Sequence, residues 1–332
     1  MMKDLRKLTI GKRRGLESTS TADGLFTILA FDHRQSFEKM LGATPTIPVS
    51  YDKIVDAKLD VISQLANQAS AILLDPLYGA PQAIANDVLP AQTGLLVAVE
   101  ETGYTGKPSA RTSSILPDWG VEKIKRMGAD AVKLLIYYHP DAGPVAEGQE
   151  LLIKEIVQEC RLHDIALFLE VVSYSINPSI EKASEAFAKL KPEIITRTAA
   201  KLSNLGADVL KLEFPVDILQ NQKEDHWYAA CQAITKAAKC PWALLSAGVE
   251  FSAFTKQVRI ACMAGASGYI AGRSIWQEGI SMKPDDRKEW LRVDATKRLI
   301  ELQQIALEHG RPWQVYYPRV INHSLQNWYV EY

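Results

Sequence analysis

The stretch Gly206-Ala-Asp-Val-Leu-Lys-Leu-Glu-Phe-Pro215 sets a lysine and a glutamate inside an apolar run. Read as a strand, it puts Val209, Lys211 and Glu213 on one face and Leu210 and Leu212 on the other. A second stretch, Gly128-Ala-Asp-Ala-Val-Lys-Leu-Leu135, repeats the frame and places Lys133 where the first has Lys211. A lysine among aliphatic side chains is costly unless it is neutralised or used. Like-charge repulsion and desolvation both lower an ammonium pKa, so two such lysines brought together are expected to yield a neutral amine near pH 7. A neutral amine attacks carbonyls. The carbinolamine and then the iminium ion that follow are an electron sink, which permits cleavage or formation of the adjacent carbon–carbon bond. Glu170, near the end of the apolar run Ile165–Val172, is placed to carry protons. The bland alternative is a buried network in which Lys133 and Lys211 pair with Glu170, Glu213 and Asp32 to fill space. Buried ion pairs are often neutral at best for stability, so this much polarity favours chemistry.

These side chains need strands to hold them. Eight strand candidates are Leu25–Phe31, Ser70–Asp75, Gly94–Val99, Ala129–Tyr137, Ile165–Val172, the 206–215 stretch, Trp242–Gly248 and Ala266–Gly272. Each is followed by a helical pattern, for example Leu152, Ile156 and Cys160 at four-residue spacing, with Pro144 and Gly148 near the helix start. Asp118 is expected to cap a helix that reaches Met127. Residues 101–118, with Gly103, Gly106, Pro108 and Pro117 among Ser and Thr, read as one long loop. Eight strand–helix units without a composition break predict an α/β fold, a single (β/α)8 TIM barrel over 1–332. Its strands fall in 20–280, an N-terminal helical segment precedes them, and a C-terminal extension over 281–332 holds the last helix and an aromatic tail. A doubly wound open sheet is the competing architecture, but no GxGxxG follows the first strand.

Alternate strands of such a barrel feed the same interior layer. Counting four residues on from Ala69, Ala129, Ala207 and Ala266 predicts one layer of Leu73, Lys133, Lys211 and Ile270. The first strand ends at Asp32-His33-Arg34, adding further polar groups at the same end.

The totals narrow the ligand. Among 332 residues, 38 Lys plus Arg against 39 Asp plus Glu leave no charge excess for nucleic acid or an anionic membrane. A small molecule is the expected partner. No stretch approaches the ~20 apolar residues of a transmembrane helix, and the charged opening of the chain argues against export, so a cytoplasmic protein is expected. Cys160, Cys231, Cys240 and Cys262 show no CxxC spacing and read as small apolar core residues.

Two late segments suggest phosphate. Ser246-Ala-Gly248 ends the seventh strand just before a helix, and Gly272-Arg-Ser274 ends the eighth before the short segment Ile275-Trp-Gln-Glu. Barrels often hold phosphate there with backbone N–H groups, and Arg273 adds a bidentate charge.

Taken together, Leu29-Ala-Phe-Asp-His-Arg34, Leu73-Leu-Asp-Pro-Leu-Tyr-Gly79, Asp130-Ala-Val-Lys-Leu-Leu135, Phe168-Leu-Glu170, Asp208-Val-Leu-Lys-Leu-Glu213, Leu245-Ser-Ala-Gly-Val249 and Gly272-Arg273 resemble the tagatose-1,6-bisphosphate aldolase family, over roughly 20–315. The resemblance implies a class I, metal-independent aldolase that splits a phosphorylated ketose, a ketose 1,6-bisphosphate, into dihydroxyacetone phosphate and glyceraldehyde 3-phosphate. Lys211 would be the Schiff-base lysine and Glu170 the proton-transfer residue. Asp32 and Lys133 would bind hydroxyls or assist proton movement, and Ser246, Gly248, Gly272 and Arg273 would hold the dihydroxyacetone-phosphate phosphate. His33 and Arg34 would contact the distal end of the sugar, although the family often has Gln at the His33 position. The resemblance extends to sulfofructose-phosphate aldolases, which accept a distal sulfonate and give sulfolactaldehyde; Lys107 and Arg111 are further candidates for distal recognition. No cofactor is implied beyond the covalent lysine intermediate.

A class II aldolase would hold a metal through histidines, but residues 33, 139, 163, 226, 309 and 323 form no HxH or HExxH. A sugar-phosphate sensor without turnover would not need an iminium-forming amine. The tail residues Trp313, Tyr316, Tyr317, Trp328, Tyr329 and Tyr332 are expected either to cover the barrel or to join subunits of a homo-oligomer.

Overall fold

The computed structural model describes residues 8–318, 327–330 and 332. Its ten strands are β1 (Phe26–Phe31), β2 (Ala71–Leu74), β3 (Gly94–Ala98), β4 (Thr105–Lys107), β5 (Ala110–Thr112), β6 (Ala131–Tyr138), β7 (Ala166–Ser173), β8 (Val209–Leu212), β9 (Trp242–Leu245) and β10 (Gly268–Ala271). Twelve α-helices accompany them: α1 (Ile10–Ser18), α2 (Gln35–Met40), α3 (Tyr51–Leu65), α4 (Ala80–Ala85), α5 (Val121–Arg126), α6 (Pro144–Leu162), α7 (Glu185–Leu202), α8 (Glu224–Ala237), α9 (Phe251–Met263), α10 (Arg273–Ile280), α11 (Pro284–Trp290) and α12 (Thr296–His309).

Eight strands close into a parallel ring in the order β1, β10, β9, β8, β7, β6, β3, β2, as the alternation of strand and helix patterns predicts. Their near-continuous apolar sequences follow from burial on both faces, one against the barrel interior and one against the helices. The register sets Glu170 opposite Lys211 on β7 and β8, and Lys133 opposite Ala98 and Phe168 on β6. Helix starts follow local chemistry: Ser50 accepts from the Lys53 N–H at α3, and Ser184 from the Phe187 N–H at α7.

Helix α1 closes the N-terminal end. Gly15 lies so near the Asp130 carbonyl that a Cβ there would stand 2.3 Å from the oxygen, and Lys12 reaches the Asp208 carboxylate at 2.8 Å. Trp313 and Tyr317 cover the same end: the Trp313 indole donates to Ser20 Oγ and the Tyr317 hydroxyl to the Asp208 carbonyl. Thus part of the tail packs within the chain. Tyr329 and Tyr332 are exposed, while the Trp328 side chain and His323 lie outside the described residues.

Two local expectations are corrected. Residues 101–118 are not one structureless loop, because β4 and β5 form an antiparallel hairpin within them. Gly106 makes this possible at φ +88°, where a Cβ would stand 2.3 Å from the Ala110 carbonyl. Asp118 does not cap α5; it sits outside the helix at φ +58°, and Gly120 is the N-cap. All four cysteines are buried free thiols, as small core residues should be. No helix among the described residues is long and apolar enough to cross a membrane.

Candidate active site

The C-terminal ends of the barrel strands surround a cavity of about 550 Å³. Strand β1 delivers Asp32, β6 Lys133, β7 Glu170 and β8 Lys211 to its wall, with Ile270 from β10. Leu73, counted into the same layer from sequence, is fully buried but does not line the cavity.

Both lysines converge on one oxygen. Lys211 Nζ donates to Glu170 Oε2 at 2.8 Å, and Lys133 Nζ lies 3.0 Å from that same atom. Lys133 also donates to Asp32 Oδ2 at 2.6 Å and to Glu100 Oε1 at 2.5 Å. The two amines therefore differ in company, three carboxylates against one. Burial opposes the charge on Lys133, but Asp32, Glu100 and Glu170 outweigh it and hold its pKa well above the ordinary lysine value. The expected neutral amine is thus corrected for Lys133, which is a fixed cation. Burial likewise opposes the charge on Asp32 and Glu170, yet the neighbouring lysines hold both below the usual carboxylate range.

Glu213 lines the cavity but pairs with neither of those lysines, so it stands outside the space-filling network considered as the alternative from sequence. It accepts from Ser173 and, at 2.7 Å, from Lys182, which reaches in from the segment between β7 and α7. Sequence reasoning missed Lys182 and also Glu100, which is 3% exposed and accepts from the Leu135 N–H besides Lys133. Glu100 had one readable signal, its position directly after an apolar run.

At the ends of β9 and β10 the four residues expected to grip phosphate come together. Ser246 Oγ accepts from the Gly272 N–H at 3.3 Å. Ala247 and Gly248 both take positive φ, +50° and +74°, and the Arg273 guanidinium lies 3.0 Å from where a Gly248 Cβ would be. His33 and Arg34 diverge. The His33 ring packs edge-to-face on Trp276, 5.1 Å between centroids, and its Cε1 lies 2.8 Å from where a Gly272 Cβ would stand. Burial pushes its pKa down to about 3, with the Arg273 and Lys211 charges adding to that against Asp32, so the ring is neutral; among the described residues its Nδ1 has no hydrogen-bond partner. Arg34 is buried and donates to the Glu100 carbonyl at 2.7 Å. Arg111 sits outside the cavity wall, its guanidinium 4.5 Å from the centre of the Tyr104 ring and 5.5 Å from that of Tyr137; Lys107 is exposed. Among the described residues, no three His, Cys, Asp or Glu side chains are grouped to hold a metal ion.

A closed parallel barrel with a buried lysine–carboxylate cluster at the C-terminal mouth, beside a glycine-flanked arginine, defines a (β/α)8 enzyme of the aldolase kind. Residues 26–278 match the DeoC/LacD family aldolase, and the chain belongs to that family. It is 35% identical over 325 residues to tagatose 1,6-diphosphate aldolase 1 of Streptococcus pyogenes, covering 92% of this chain and 98% of that protein. Among solved structures, a Schiff-base-forming fructose-1,6-bisphosphate aldolase aligns with a TM-score of 0.59 at 22% identity, over 91% of this chain and 100% of that one. A fructose-bisphosphate aldolase from Slackia heliotrinireducens aligns with a TM-score of 0.61 at 16% identity, over 97% of each chain. At those identities the two structures support the fold. The family makes the chain a lyase.

Proposed function

We propose that the protein is a class I aldolase that cleaves a ketose 1,6-bisphosphate of the tagatose 1,6-bisphosphate kind to dihydroxyacetone phosphate and glyceraldehyde 3-phosphate. The observation that carries this reading is the unequal company of the two lysines: among the described residues, Lys133 is held as a cation by three carboxylates, whereas Lys211 has the single carboxylate partner Glu170 at 2.8 Å. An amine with one proton acceptor beside it can lose its proton to that acceptor and attack.

In this mechanism Glu170 takes a proton from Lys211 Nζ, and the amine adds to the C2 carbonyl. Loss of water from the carbinolamine gives the iminium ion. A carboxylate of the cluster, Glu170 or Asp32, removes the C4 hydroxyl proton. The C3–C4 bond then breaks, its electron pair moves into the enamine, and glyceraldehyde 3-phosphate leaves. Protonation at C3 and hydrolysis release dihydroxyacetone phosphate and restore the lysine. Lys133 supports the developing oxyanions with a charge that needs no reorganisation. Ser246, Gly248, Gly272 and Arg273 hold the phosphate next to the carbonyl, and Arg34, on the Glu100 side, faces the distal end.

The test is intact mass after incubation with dihydroxyacetone phosphate and borohydride in EDTA, comparing wild type with Lys211→Ala. An adduct on the wild type alone is expected, together with turnover of tagatose and fructose 1,6-bisphosphates. Absence of an adduct on the wild type would sink the lysine mechanism. Adduct formation with turnover only of a distal sulfonate would reassign the substrate.

A further inference from the structure

The loop that presents Asp32, His33 and Arg34 is anchored from below by a buried ion pair outside the cavity. Lys58 on α3 and Asp75 just past β2 are both 0% exposed, and Lys58 Nζ meets Asp75 Oδ2 at 2.6 Å. The same ammonium donates to the Phe31 carbonyl at 3.1 Å and lies 4.6 Å from the centre of the Phe31 ring. Asp75 cannot swing away, because its other oxygen accepts from the Leu77 and Tyr78 N–H groups at 2.9 and 2.8 Å. From the other side, the Trp276 indole N–H on α10 donates to the Ala30 carbonyl at 3.1 Å. The last two carbonyls before Asp32 are therefore each held by a side chain from a different helix.

A buried ion pair is a poor device for stability, since well-packed apolar residues of similar volume commonly do as well or better. An ammonium has something apolar groups lack, a strong directional bond to a backbone carbonyl. Fixing the Phe31 carbonyl fixes the peptide plane between Phe31 and Asp32, and with it the direction in which Asp32 leaves the strand. Asp32 must reach Lys133 at 2.6 Å, and Arg34 the Glu100 carbonyl at 2.7 Å, so a small rotation there would be felt by both.

We propose that Lys58, locked by Asp75, is a positioning residue that aims the Asp32-His33-Arg34 segment into the cavity, with no contact of its own to substrate. This rests on the aldolase reading above. It also assigns a purpose to the Asp75-Pro76 turn, whose carboxylate the cavity does not use.

The experiment compares wild type with the charge-free pair Lys58→Met/Asp75→Leu and with Asp75→Asn. Each is measured for melting temperature, for borohydride trapping of dihydroxyacetone phosphate, and for kcat and KM of cleavage. The double variant is expected to melt within several degrees of wild type and to trap the adduct to completion, because Lys211 is untouched, while kcat falls about 100-fold, the penalty of a misplacement near 1 Å. Asp75→Asn, which keeps an oxygen for the turn N–H groups, reads the same effect if the double variant does not fold, with a smaller fall in kcat. Wild-type kcat in a folded variant of either kind would overturn the proposal and make the pair structural. Failure of wild type to trap or cleave would instead strike the aldolase reading, so the two failures are distinguishable.

Discussion

Glu170 and Lys211 face each other directly across the β7–β8 pair, and their side chains close to 2.8 Å at the mouth of the barrel. Direct cross-strand partners are the tightest way a sheet can hold an acid and an amine together. Glu170→Gln keeps the shape and removes the proton acceptor. A fall in kcat of about 10²- to 10⁴-fold is expected, the usual worth of a general base, with the borohydride adduct forming slowly but at the same residue. Stopped-flow trapping measures it, and an unchanged rate would exclude Glu170 from proton transfer.

Lys133 should not substitute for Lys211. Its three carboxylate partners hold it charged, so Lys133→Met is expected to leave the adduct at Lys211 in place while cleavage falls by at least about 10²-fold, a loss of the size seen when a preorganised charge is removed. Peptide mapping of the reduced adduct decides this. Label on Lys133 in the wild type would reverse the assignment of the two lysines.

On the proposed reading, Arg273 and Gly248 form one phosphate contact. Arg273→Ala is expected to raise KM for the bisphosphate about 10- to 100-fold, in line with the ~1.5–3 kcal/mol of a charge-assisted hydrogen bond. Gly248→Ala should do part of the same, since its Cβ would stand 3.0 Å from the guanidinium and the backbone there has φ +74°. The check is trapping with dihydroxyacetone, which lacks the phosphate: both variants should match wild type with it.

His33 carries a pH signature in stability. The unfolded residue takes up a proton near pH 6.5 and the folded one only near pH 3. Between those values the unfolded chain binds more protons, so stability is complete above about 6.5 and declines as pH falls toward 3. His33→Gln is expected to flatten that decline, read from urea midpoints at pH 7 and pH 4.5. An equal slope in both proteins would mean the imidazole is protonated as readily when folded as when unfolded.

The pair at the opposite end of the barrel offers a contrast. Lys12 and Asp208 are buried at 2.8 Å, and the same Asp208 oxygen also accepts from the Leu167 N–H. Lys12→Met strands a buried carboxylate and is expected to cost about 3–5 kcal/mol of stability with kcat unchanged below the melting point. Thermal unfolding beside steady-state kinetics checks both halves.

Lys211 and Glu170 were legible in sequence because strand alternation fixes the face of each residue once the run is recognised. The clustering of Ser246, Gly248, Gly272 and Arg273 was legible because glycine and arginine stand at two consecutive strand ends. The protonation of Lys133 was not, since it depends on how many acids surround it. Glu100 adds to that balance, after Asp32, from a position just past β3, where alternation no longer says which way a side chain turns, and its reach follows from the pairing of Ala98 with Lys133. Lys182 comes from an irregular segment whose path no periodicity describes. The β4–β5 hairpin was hidden because its Gly106 and Pro108 serve a tight antiparallel turn as readily as an open loop.

The ring of strands shuts where β1 meets β10, with Phe26 beside Gly268, so its last seam joins the start of the barrel sequence to its end. Strands β6, β7 and β8 are neighbours in order along the chain as well as in the sheet, and they can bring Lys133, Glu170 and Lys211 together early. Ser246 after β9 and Gly272 and Arg273 after β10 come last along the chain and complete the cavity wall that Asp32 also lines. During synthesis on the ribosome, the growing chain therefore carries Lys211 before Ser246 and Arg273 have been made, and on the aldolase reading proposed above the amine is present before the phosphate contact, which arrives with the final strand.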